Sequence, residues 1–432
     1  MKLKVLKQIK LFSKLRAGAL YYALFISFVV VALISMLILY TYIHNSYIDR
    51  QVIQEQVLAN VKSGINLVCK NPELVAYNAT EEISLFGNDY DLVQLNKKHW
   101  GVYDLIFAKS QRRSYKAEKI ALLGDHLGKK EDIALYLSDK RKYLSISGNT
   151  LLKGSCYLPK LGIKRAYIEG QGYQNDKLVY GTIQQSNSEL PALNPEKIKY
   201  LEELINKNIS KQDSVIQLDA SIARSKLFNS FNSKPLIIYS DQVARLSQLN
   251  AEGNIILKFD NEISIGADCD LKDVIIIAPT VFFEDGFSGQ VQVIASESIQ
   301  VGNSCKFEYP SFLGLLKSKD EVKGSITFGK SSILAGGMLL YVITTNEKTS
   351  LKLNIEELAK IYGTVYCNGF VQLKGSILGS LYCEGFTLKT TASLYENHLL
   401  NATVDYSKLP SDFIGVNLVG EPVNEKIIKW VE

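Results

Sequence analysis

The spacing of apolar positions changes along the chain. Residues 17–43 carry no charge. Between residues 49 and 70, apolar residues recur at steps of three and four, the spacing of an amphipathic helix, at Ile53, Val57, Val61, Ile65 and Val68. In residues 253–350, short runs of Val, Ile, Tyr, Phe and Thr are separated by Gly, Asn and Asp, which is typical of strands and turns. The pattern predicts a mainly β protein behind one long N-terminal helix.

The uncharged stretch is long enough to cross a bilayer. Its 27 residues make a helix of about 40 Å, against a hydrocarbon core of about 30 Å. Six basic residues precede it and the first acidic residue is Asp49, so the positive-inside rule places residues 1–16 in the cytoplasm and the C-terminal domain outside it. A cleaved signal peptide would have a shorter apolar region and a small-residue cleavage site. We therefore expect an uncleaved, single-pass signal anchor in the cytoplasmic (inner) membrane, with the lipid bilayer as a partner through residues 17–43.

The N-terminal segment resembles that of bacterial minor pilins and pseudopilins. A short basic leader ends at Gly18 within Arg16-Ala17-Gly18-Ala19-Leu20, and the membrane helix continues into the amphipathic one. The resemblance implies cleavage after Gly18 and a role in envelope assembly. Pilins usually carry a glutamate five residues after this glycine, whereas this chain has Ala23 there. The alternative is a plain anchor with a helical stalk.

Two segments near the C-terminus repeat one another. Residues 361–370 read IYGTVYCNGF and residues 377–386 read ILGSLYCEGF, with six of ten positions identical at an offset of 16. A second pattern recurs around Gly266, Gly302 and Gly329. Short repeats are typical of solenoids, and units of this size fit two or three short strands, which predicts a parallel β-helix. A β-sandwich, the alternative, would not repeat after 16 residues. In the β-helix, Cys367 would lie beside Cys383 and Phe370 beside Phe386.

The remaining segments are assigned around this solenoid. Residues 143–183 show the same alternation of short apolar runs and glycines. Residues 194–209 read NPEKIKYLEELINKNI, in which Asn194 can cap a helix whose first residue is Pro195. The predicted domains are a cytoplasmic basic leader (1–16), a transmembrane helix (17–43), a helical stalk and linker (44–95), a β-rich region that includes the first solenoid coils (96–190), a mostly helical insertion (191–234), the main parallel β-helix (235–409) and a C-terminal cap (410–432).

The repeats also resemble the β-helical domains of bacterial polymer-forming proteins such as bactofilins, over about 150 residues. That resemblance implies self-assembly. Bactofilins are cytoplasmic, however, whereas the leader here places the repeats outside the cytoplasm. Self-assembly and binding of other proteins therefore both remain expectations.

Few residues suggest chemistry. The four histidines have no metal-ligand spacing, the six cysteines form no CxxC pair, and phosphate-binding loops of the GxxxxGK[ST] type are missing. No catalytic, metal or cofactor-binding residue is therefore predicted. β-Helix enzymes that cleave polysaccharides place several acids on one face. The nearest candidates for such a pair, or for a calcium site, are Asp268, Asp270, Asp273, Glu284 and Asp285, although acids of this kind more often serve in turns.

Two pairs of repeat positions predict opposite faces of one strand. Cys367 and Cys383 are equivalent, and we expect buried thiols stacked in the core rather than a disulfide, because adjacent parallel strands give poor bridging geometry. Tyr366 and Tyr382 would then lie on the opposite face. An exposed tyrosine ladder there could bind glycans.

Charge narrows the classes of partner. Without its first 48 residues the chain has 43 basic and 44 acidic residues, so the folded part has no overall basic surplus for nucleic acid. We expect a non-enzymatic, membrane-anchored extracytoplasmic β-helix protein, a scaffold or envelope-assembly component with a minor-pilin-like N-terminus. The alternative is a membrane-tethered β-helix that binds or cleaves glycans.

Overall fold

A computed structural model describes residues 17–87, 90–126, 132–206, 214–219, 222–317, 323–343, 350–391, 393–416, 418–419 and 424–431. The predicted leader, residues 1–16, lies outside the described residues.

The fold is mainly β with one long N-terminal helix. The helices are α1 (Ala17–Lys70) and α2 (Pro195–Asn206), with 3₁₀ turns at Pro72–Leu74, Ile222–Arg224 and Tyr406–Lys408. The strands up to α2 are β1 (Thr80–Ser84), β2 (Leu92–Trp100), β3 (Tyr103–Arg112), β4 (Tyr115–His126), β5 (Ile133–Leu137), β6 (Leu144–Ser147), β7 (Leu151–Lys153), β8 (Ser155–Leu158), β9 (Ile163–Arg165), β10 (Tyr167–Ile168), β11 (Gln171–Gly172) and β12 (Ile183–Gln185). Those after α2 are β13 (Ser214–Gln217), β14 (Lys226–Asn229), β15 (Leu236–Ser240), β16 (Ala244–Leu246), β17 (Asn250–Phe259), β18 (Ile263–Ile265), β19 (Asp270–Phe283), β20 (Ser288–Val301), β21 (Lys306–Lys317), β22 (Lys323–Phe328), β23 (Ile333–Val342), β24 (Ser350–Ile355), β25 (Lys360–Leu373), β26 (Ser376–Lys389), β27 (Leu394–Glu396), β28 (His398–Leu400), β29 (Thr403–Asp405), β30 (Ile414–Gly415) and β31 (Glu425–Val431).

Helix α1 has two parts with different surroundings. Every apolar side chain from Leu20 to Val52 is solvent-exposed, and the helix is long and apolar enough to cross a membrane. The predicted stripe then becomes buried, at Ile53, Val57, Val61, Ile65 and Val68. The predicted amphipathic helix is thus confirmed, and it is continuous with the apolar helix.

The buried half of α1 packs on an antiparallel sheet, here called the head sheet. Its strand order is β1-β2-β3-β4-β30, and β31 also pairs with β4. Residues of β2, β3 and β4 alternate between the helix side and the opposite side, so that Val93, Leu95 and Ile106 join the α1 stripe in one apolar cluster. The sheet therefore combines strands from residues 80–126 with two C-terminal strands, β30 and β31.

Most of the intervening chain forms what we call the parallel stack, a closed sheet made largely of parallel strands. One ladder of it joins β15, β17, β19, β20, β21, β23, β25, β26, β5, β8 and β12 in that spatial order. A second ladder aligns Leu246, Ile265, Phe283, Val301, Phe328, Ile355 and Leu373, all buried. Successive partners in this column are 18, 19 or 27 residues apart, so each turn of chain returns to the same place.

Glycine permits the close approach of neighbouring strands at one column of the stack. Gly336, Gly363 and Gly379 are aligned, with φ of 153°, 129° and 154°. A Cβ on Gly379 would lie 2.0 Å from the carbonyl oxygen of Gly363. Only a residue without a side chain fits there, which accounts for the glycine repeated in both ten-residue segments.

The 16-residue repeat is confirmed in register, with one exception. Cys367 pairs with Cys383, and the eight pairs from Lys360–Ser376 to Cys367–Cys383 keep the offset of 16. After the cysteines the register shifts, and Phe370 lies opposite Gly385 while Phe386 lies opposite Val371. The predicted Phe370–Phe386 column is therefore wrong, because a bulge removes one residue from the pairing. Phe386 is fully buried, whereas Phe370 is only partly so.

Three predicted segments differ from the structure. The N-terminal repeats, β5 to β8, are not the first units of the stack but follow β26 in space. In the described part of the insertion at 191–234, α2 is the α-helix and Ile222–Arg224 is a 3₁₀ turn, whereas residues 214–217 and 226–229 form strands that join the stack. The predicted C-terminal cap instead places residues 425–431 in the head sheet as β31.

Candidate functional site

A cleft of about 680 Å³ opens where the head sheet meets helix α2. The turn after α1, strands β2, β4 and β31, and the first turn of α2 line it. Its charged or titratable walls are Glu73, Tyr77, Lys97, His99, Asp125, Glu196, Lys197 and Glu425. Its volume lies in the range of ligand pockets.

A buried lysine is the starting point of this site. On β2 the inward positions are Val93, Leu95 and then Lys97, which is only 1% exposed. Its Nζ lies 2.6 Å from Oε1 of Glu425 and 3.9 Å from Oδ2 of Asp104. The ammonium is thus held between β3 and the C-terminal strand β31. Burying this charge is tolerated because carboxylates surround it.

An aromatic stack fixes a neighbouring histidine. His99 and Asp104 face each other across β2 and β3, and Nδ1 of His99 lies 2.8 Å from Oδ1 of Asp104. The imidazole stacks on the ring of Tyr77 and lies tilted against the ring of Tyr200, with centroids 3.7 and 4.3 Å away. The Tyr77 hydroxyl donates to Oδ2 of Asp104 at 3.0 Å. Both oxygens of Asp104 are therefore engaged.

Helix α2 brings a second cation to the site. Its predicted cap is confirmed, because Oδ1 of Asn194 accepts hydrogen bonds from the backbone N–H groups of Glu196 and Lys197. Lys197 Nζ donates to Oδ2 of Asp125 at 2.6 Å. On the sheet, Asp125 is the strand partner of Glu425. The first turn of α2 is thus tied to the strand pair β4–β31.

Burial and charge shift the titration of these groups. Burial, opposed by Lys97 and reinforced by Asp104, raises the pKa of Glu425 to about 7. For Asp104, burial acts to raise the pKa, but the hydrogen bond with His99 and the charges of Lys197 and Lys97 outweigh it, and the pKa is lowered. Burial and then Asp104 raise the pKa of Tyr77, so its phenol stays a hydrogen-bond donor. Oε2 of Glu425 is buried and has no hydrogen-bond partner in the described part of the chain.

These charged side chains connect segments that are distant in the chain, rather than positioning groups for a reaction. Three carboxylates (Asp104, Asp125 and Glu425) and two ammonium groups (Lys97 and Lys197) connect β2, β3, β4, β31 and α2. A charged network of this kind fixes the geometry of its parts, since breaking one pair leaves an uncompensated buried charge. Glu425, whose Oε2 has no partner among the described residues, lines the cleft beside this network.

The acids singled out in the sequence lie elsewhere and have structural partners. Glu284 forms a two-point ion pair with Arg245, Asp285 accepts from the backbone N–H of Asn303 and Asp270 accepts from Asn250. Asp268 lies in a turn and Asp270 begins β19, and both are exposed. Among the described residues no group of three His, Cys, Asp or Glu side chains is placed to hold a metal ion.

One of these acids connects the stack to the head sheet. Asp273 accepts a hydrogen bond from Nε2 of Gln290 at 2.6 Å and an ion pair from Lys429 of β31. Lys429 also donates to Oε1 of Gln290 at 3.0 Å. Asp273 is therefore part of the attachment of the C-terminal strand, and not of an acidic pair.

The cysteine and tyrosine faces are confirmed, with one difference. All six cysteines are free and buried, and Cys367 and Cys383 lie side by side in the interior of the stack. Tyr366 and Tyr382 lie on the other face, with ring centroids 6.1 Å apart. They are buried rather than exposed, at 3% and 9% exposure, and the Tyr366 hydroxyl donates to the carbonyl of Pro191. The predicted exposed tyrosine ladder is thus covered by the segment before α2.

The sequence gives one weak signal for the charged cleft. Lys97 occupies an inward position of an alternating strand, where an apolar residue is expected. Nothing local connects it with Glu425, which is 328 residues away in the chain.

In the comparisons with known proteins, no family model, curated protein or solved structure matches this chain.

Proposed function

We propose that this chain is a non-enzymatic, membrane-anchored scaffold of the bacterial envelope, whose extracytoplasmic domain is a parallel β-helix carried on a pilin-like stem. The observation that carries the proposal is helix α1. It runs without a break from an exposed apolar segment into a segment packed on the head sheet. A rigid stem of this kind fixes a large domain relative to a membrane or to neighbouring stems.

The exposed part of α1 supports a membrane or assembly role. Side chains such as Phe25, Leu33 and Leu37 are more than 60% exposed, in a window with mean hydropathy of 2.8. An apolar surface of this extent on a protein in water favours aggregation, so it needs a cover. A bilayer provides one, as do the equivalent helices of further copies.

The register of the parallel stack supports the β-helix. Its inward column at Ile276, Val293, Leu313, Met338 and Val365 runs through successive strands without a change of face. Repeats of one architecture with an apolar interior are the feature that scaffolds built from solenoids share. The charged cleft contributes by locking α2 and β31 to the head sheet.

Topology and processing are tested first. A reporter fused after Glu432 should be active only outside the cytoplasm, because the basic leader favours a cytoplasmic N-terminus. Activity in the cytoplasm would contradict the extracytoplasmic domain. N-terminal sequencing of the mature protein separates the two kinds of anchor: Ala19 as first residue supports pilin-like processing, and Met1 supports a plain anchor.

Assembly through the stem is tested by cysteine cross-linking in membranes. The six native thiols are buried, so an introduced surface cysteine is the reactive one. Single cysteines at positions 33 to 36 cover one turn of the exposed helix, and Leu358→Cys, on an exposed residue of the stack, is the control. Disulfide-linked oligomers from one of the helix positions and not from the control are expected. Monomers at all four would contradict assembly through α1.

Glycan binding is the second candidate, supported by one cleft. A cavity of about 530 Å³ borders Tyr136, Tyr157 and Tyr382 and has Gln185 and Asn187 on its rim. The tyrosine rings stack on one another, with centroids 5.3 and 6.1 Å apart, which leaves their edges rather than their faces for a sugar. Titration with envelope oligosaccharides, with Tyr157→Ala as the variant, tests it. Binding that the variant loses would favour this function over the scaffold.

A further inference from the structure

The β1–β2 and β3–β4 hairpins of the head sheet point in the same direction. Asp91, just before β2, accepts a hydrogen bond from Gln56 of α1 at 2.9 Å, while Val93 packs further along the helix, beside Gly64. Strand β2 therefore runs the same way as α1, and the β1–β2 hairpin lies at the end of the sheet nearest the exposed half of α1. Because β3 runs back, the β3–β4 turn lies at the same end, where Arg112 hydrogen-bonds to Gln56.

The described residues at this end have the composition of a membrane interface. Phe86 is 75% exposed and Tyr90 is 60% exposed, although neither is needed on the surface of a soluble sheet. The Arg112 guanidinium lies 4.8 Å from the centre of the Tyr90 ring, and Arg113 and Lys116 are exposed. Aromatic rings beside cationic side chains are enriched where proteins contact phospholipid headgroups.

The stem places these hairpins within reach of the bilayer. Tyr21 and Tyr42 lie near the ends of the uncharged stretch, about 32 Å apart along the helix, as in the aromatic belts of membrane helices. Gln56 is then about 21 Å beyond Tyr42. In the β3–β4 hairpin Arg112 pairs with Tyr115, so residues 113 and 114 extend beyond Arg112 and cover about 5 Å of that distance.

Tilt closes most of the remaining gap. The uncharged stretch is about 10 Å longer than the hydrocarbon core, and a helix that is too long tilts. Because α1 is continuous, a tilt toward the sheet lowers the hairpins, which lie about one packing layer of 10 Å from its axis. A tilt of about 40°, at which a stretch of about 40 Å spans a core of about 30 Å, leaves the end of the β3–β4 hairpin about 6 Å from the hydrocarbon, within a headgroup layer of about 5 to 7 Å.

We propose that the two hairpin ends around Phe86 and Arg113 form a lipid-contacting face, which enters the headgroup layer of the membrane that holds α1 and sets the tilt of the whole extracytoplasmic domain. The proposal rests on the membrane anchor of the proposed function. It assigns a second, peripheral contact to a protein whose other membrane contact is the helix.

The test measures depth in the bilayer at chosen positions of the full chain. The protein is reconstituted in vesicles of phosphatidylethanolamine and phosphatidylglycerol and carries one nitroxide label, at Leu33→Cys in the stem, Ser114→Cys in the β3–β4 turn or Leu358→Cys on the stack. Accessibility to oxygen is compared with accessibility to a water-soluble nickel chelate. Residues 33 and 358 are exposed in the protein, and the native thiols are buried.

Three results separate the outcomes. We expect the label at 33 deep in the bilayer, the label at 358 in water, and the label at 114 several-fold less accessible to nickel than that at 358. Adding Phe86→Asp to Ser114→Cys should move the label at 114 into water, whereas Leu358→Asp in the same background should not. A label at 114 as aqueous as that at 358, with 33 deep, would overturn the lipid-contacting face while the anchor stands. An aqueous label at 33 would overturn the anchor itself.

Discussion

The parallel stack and the head sheet are stabilised in different ways. The interior of the stack is an apolar cluster of Leu, Ile, Val, Phe and Cys, repeated from strand to strand in one register. The head sheet also buries Lys97, Asp104, Asp125 and Glu425, which connect segments far apart in the chain. In the stack, a repeated apolar pattern is enough to align neighbouring strands. In the head sheet, strands from distant parts of the chain are held together by specific ion pairs as well.

The largest effect is expected in the interior of the stack. Phe386→Asp places an unpaired carboxylate at a fully buried position and removes the ring, and it should lower the free energy of unfolding by about 5 kcal/mol. Thr387→Asp, on the other face of the same strand, should cost about 0.5 kcal/mol. Thermal unfolding in detergent micelles compares the two. Equal shifts in melting temperature would contradict the assignment of faces.

The stack was largely predictable because its signal is local and repeated. The two ten-residue segments predict the Cys367–Cys383 pair and opposite faces for cysteine and tyrosine, and both are confirmed. The position of Phe370 was missed, since a one-residue bulge after the cysteines has no counterpart in the repeat pattern. The place of residues 133–158 beyond β26 was also missed, because rhythm reveals membership but not spatial order.

The charged cleft was not predictable, for the opposite reason. Its contacts join β2, α2 and β31, and no periodic pattern relates these segments. The helix cap at Asn194 was found because capping is a local rule. The C-terminal residues are predicted to form a cap, whereas residues 425–431 pair with β4.

The next largest effect is expected from breaking the charged network. Lys97→Met keeps the side-chain volume but removes the ammonium that pairs with Glu425 and lies near Asp104, which should cost about 3 to 5 kcal/mol. The double variant Lys97→Met with Glu425→Gln should recover part of this loss, because it also removes the carboxylate that has lost its partner. Both are compared by thermal unfolding. A single variant as stable as the parent would show that the head sheet, like the stack, does not depend on charge.

The pH dependence of the head sheet sharpens the same comparison. The pKa of Glu425 is about 7 in the folded protein, against an ordinary value of 4.5. Between these values the folded state binds the proton that the unfolded state has released, so stability from Glu425 is complete below pH 4.5 and is lost as pH rises toward 7. The loss is on the order of 3 kcal/mol.

Glu425→Gln should remove this slope. The difference in melting temperature between Glu425→Gln and the parent should therefore increase between pH 5 and pH 8. The increase should correspond to the stability that the parent loses as Glu425 releases its proton. Lys374→Ala, which breaks the Lys374–Glu356 pair of the stack, is the control and should leave the slope unchanged. Parallel curves for parent and Glu425→Gln would contradict the raised pKa.

The smallest effect is expected at the joint between α2 and the head sheet. Oδ1 of Asn194 satisfies the backbone N–H groups of Glu196 and Lys197, so Asn194→Ala should cost about 1 kcal/mol. Glu203→Ala on the exposed side of the same helix removes only a long, solvent-exposed ion pair with Lys199 and should cost less than about 0.5 kcal/mol. Because the cap also positions Lys197 against Asp125, Asn194→Ala should increase hydrogen exchange in both α2 and β4, whereas Glu203→Ala should leave β4 unchanged. Faster exchange confined to α2 would show that the cap stabilises the helix alone and that the charged network does not depend on it.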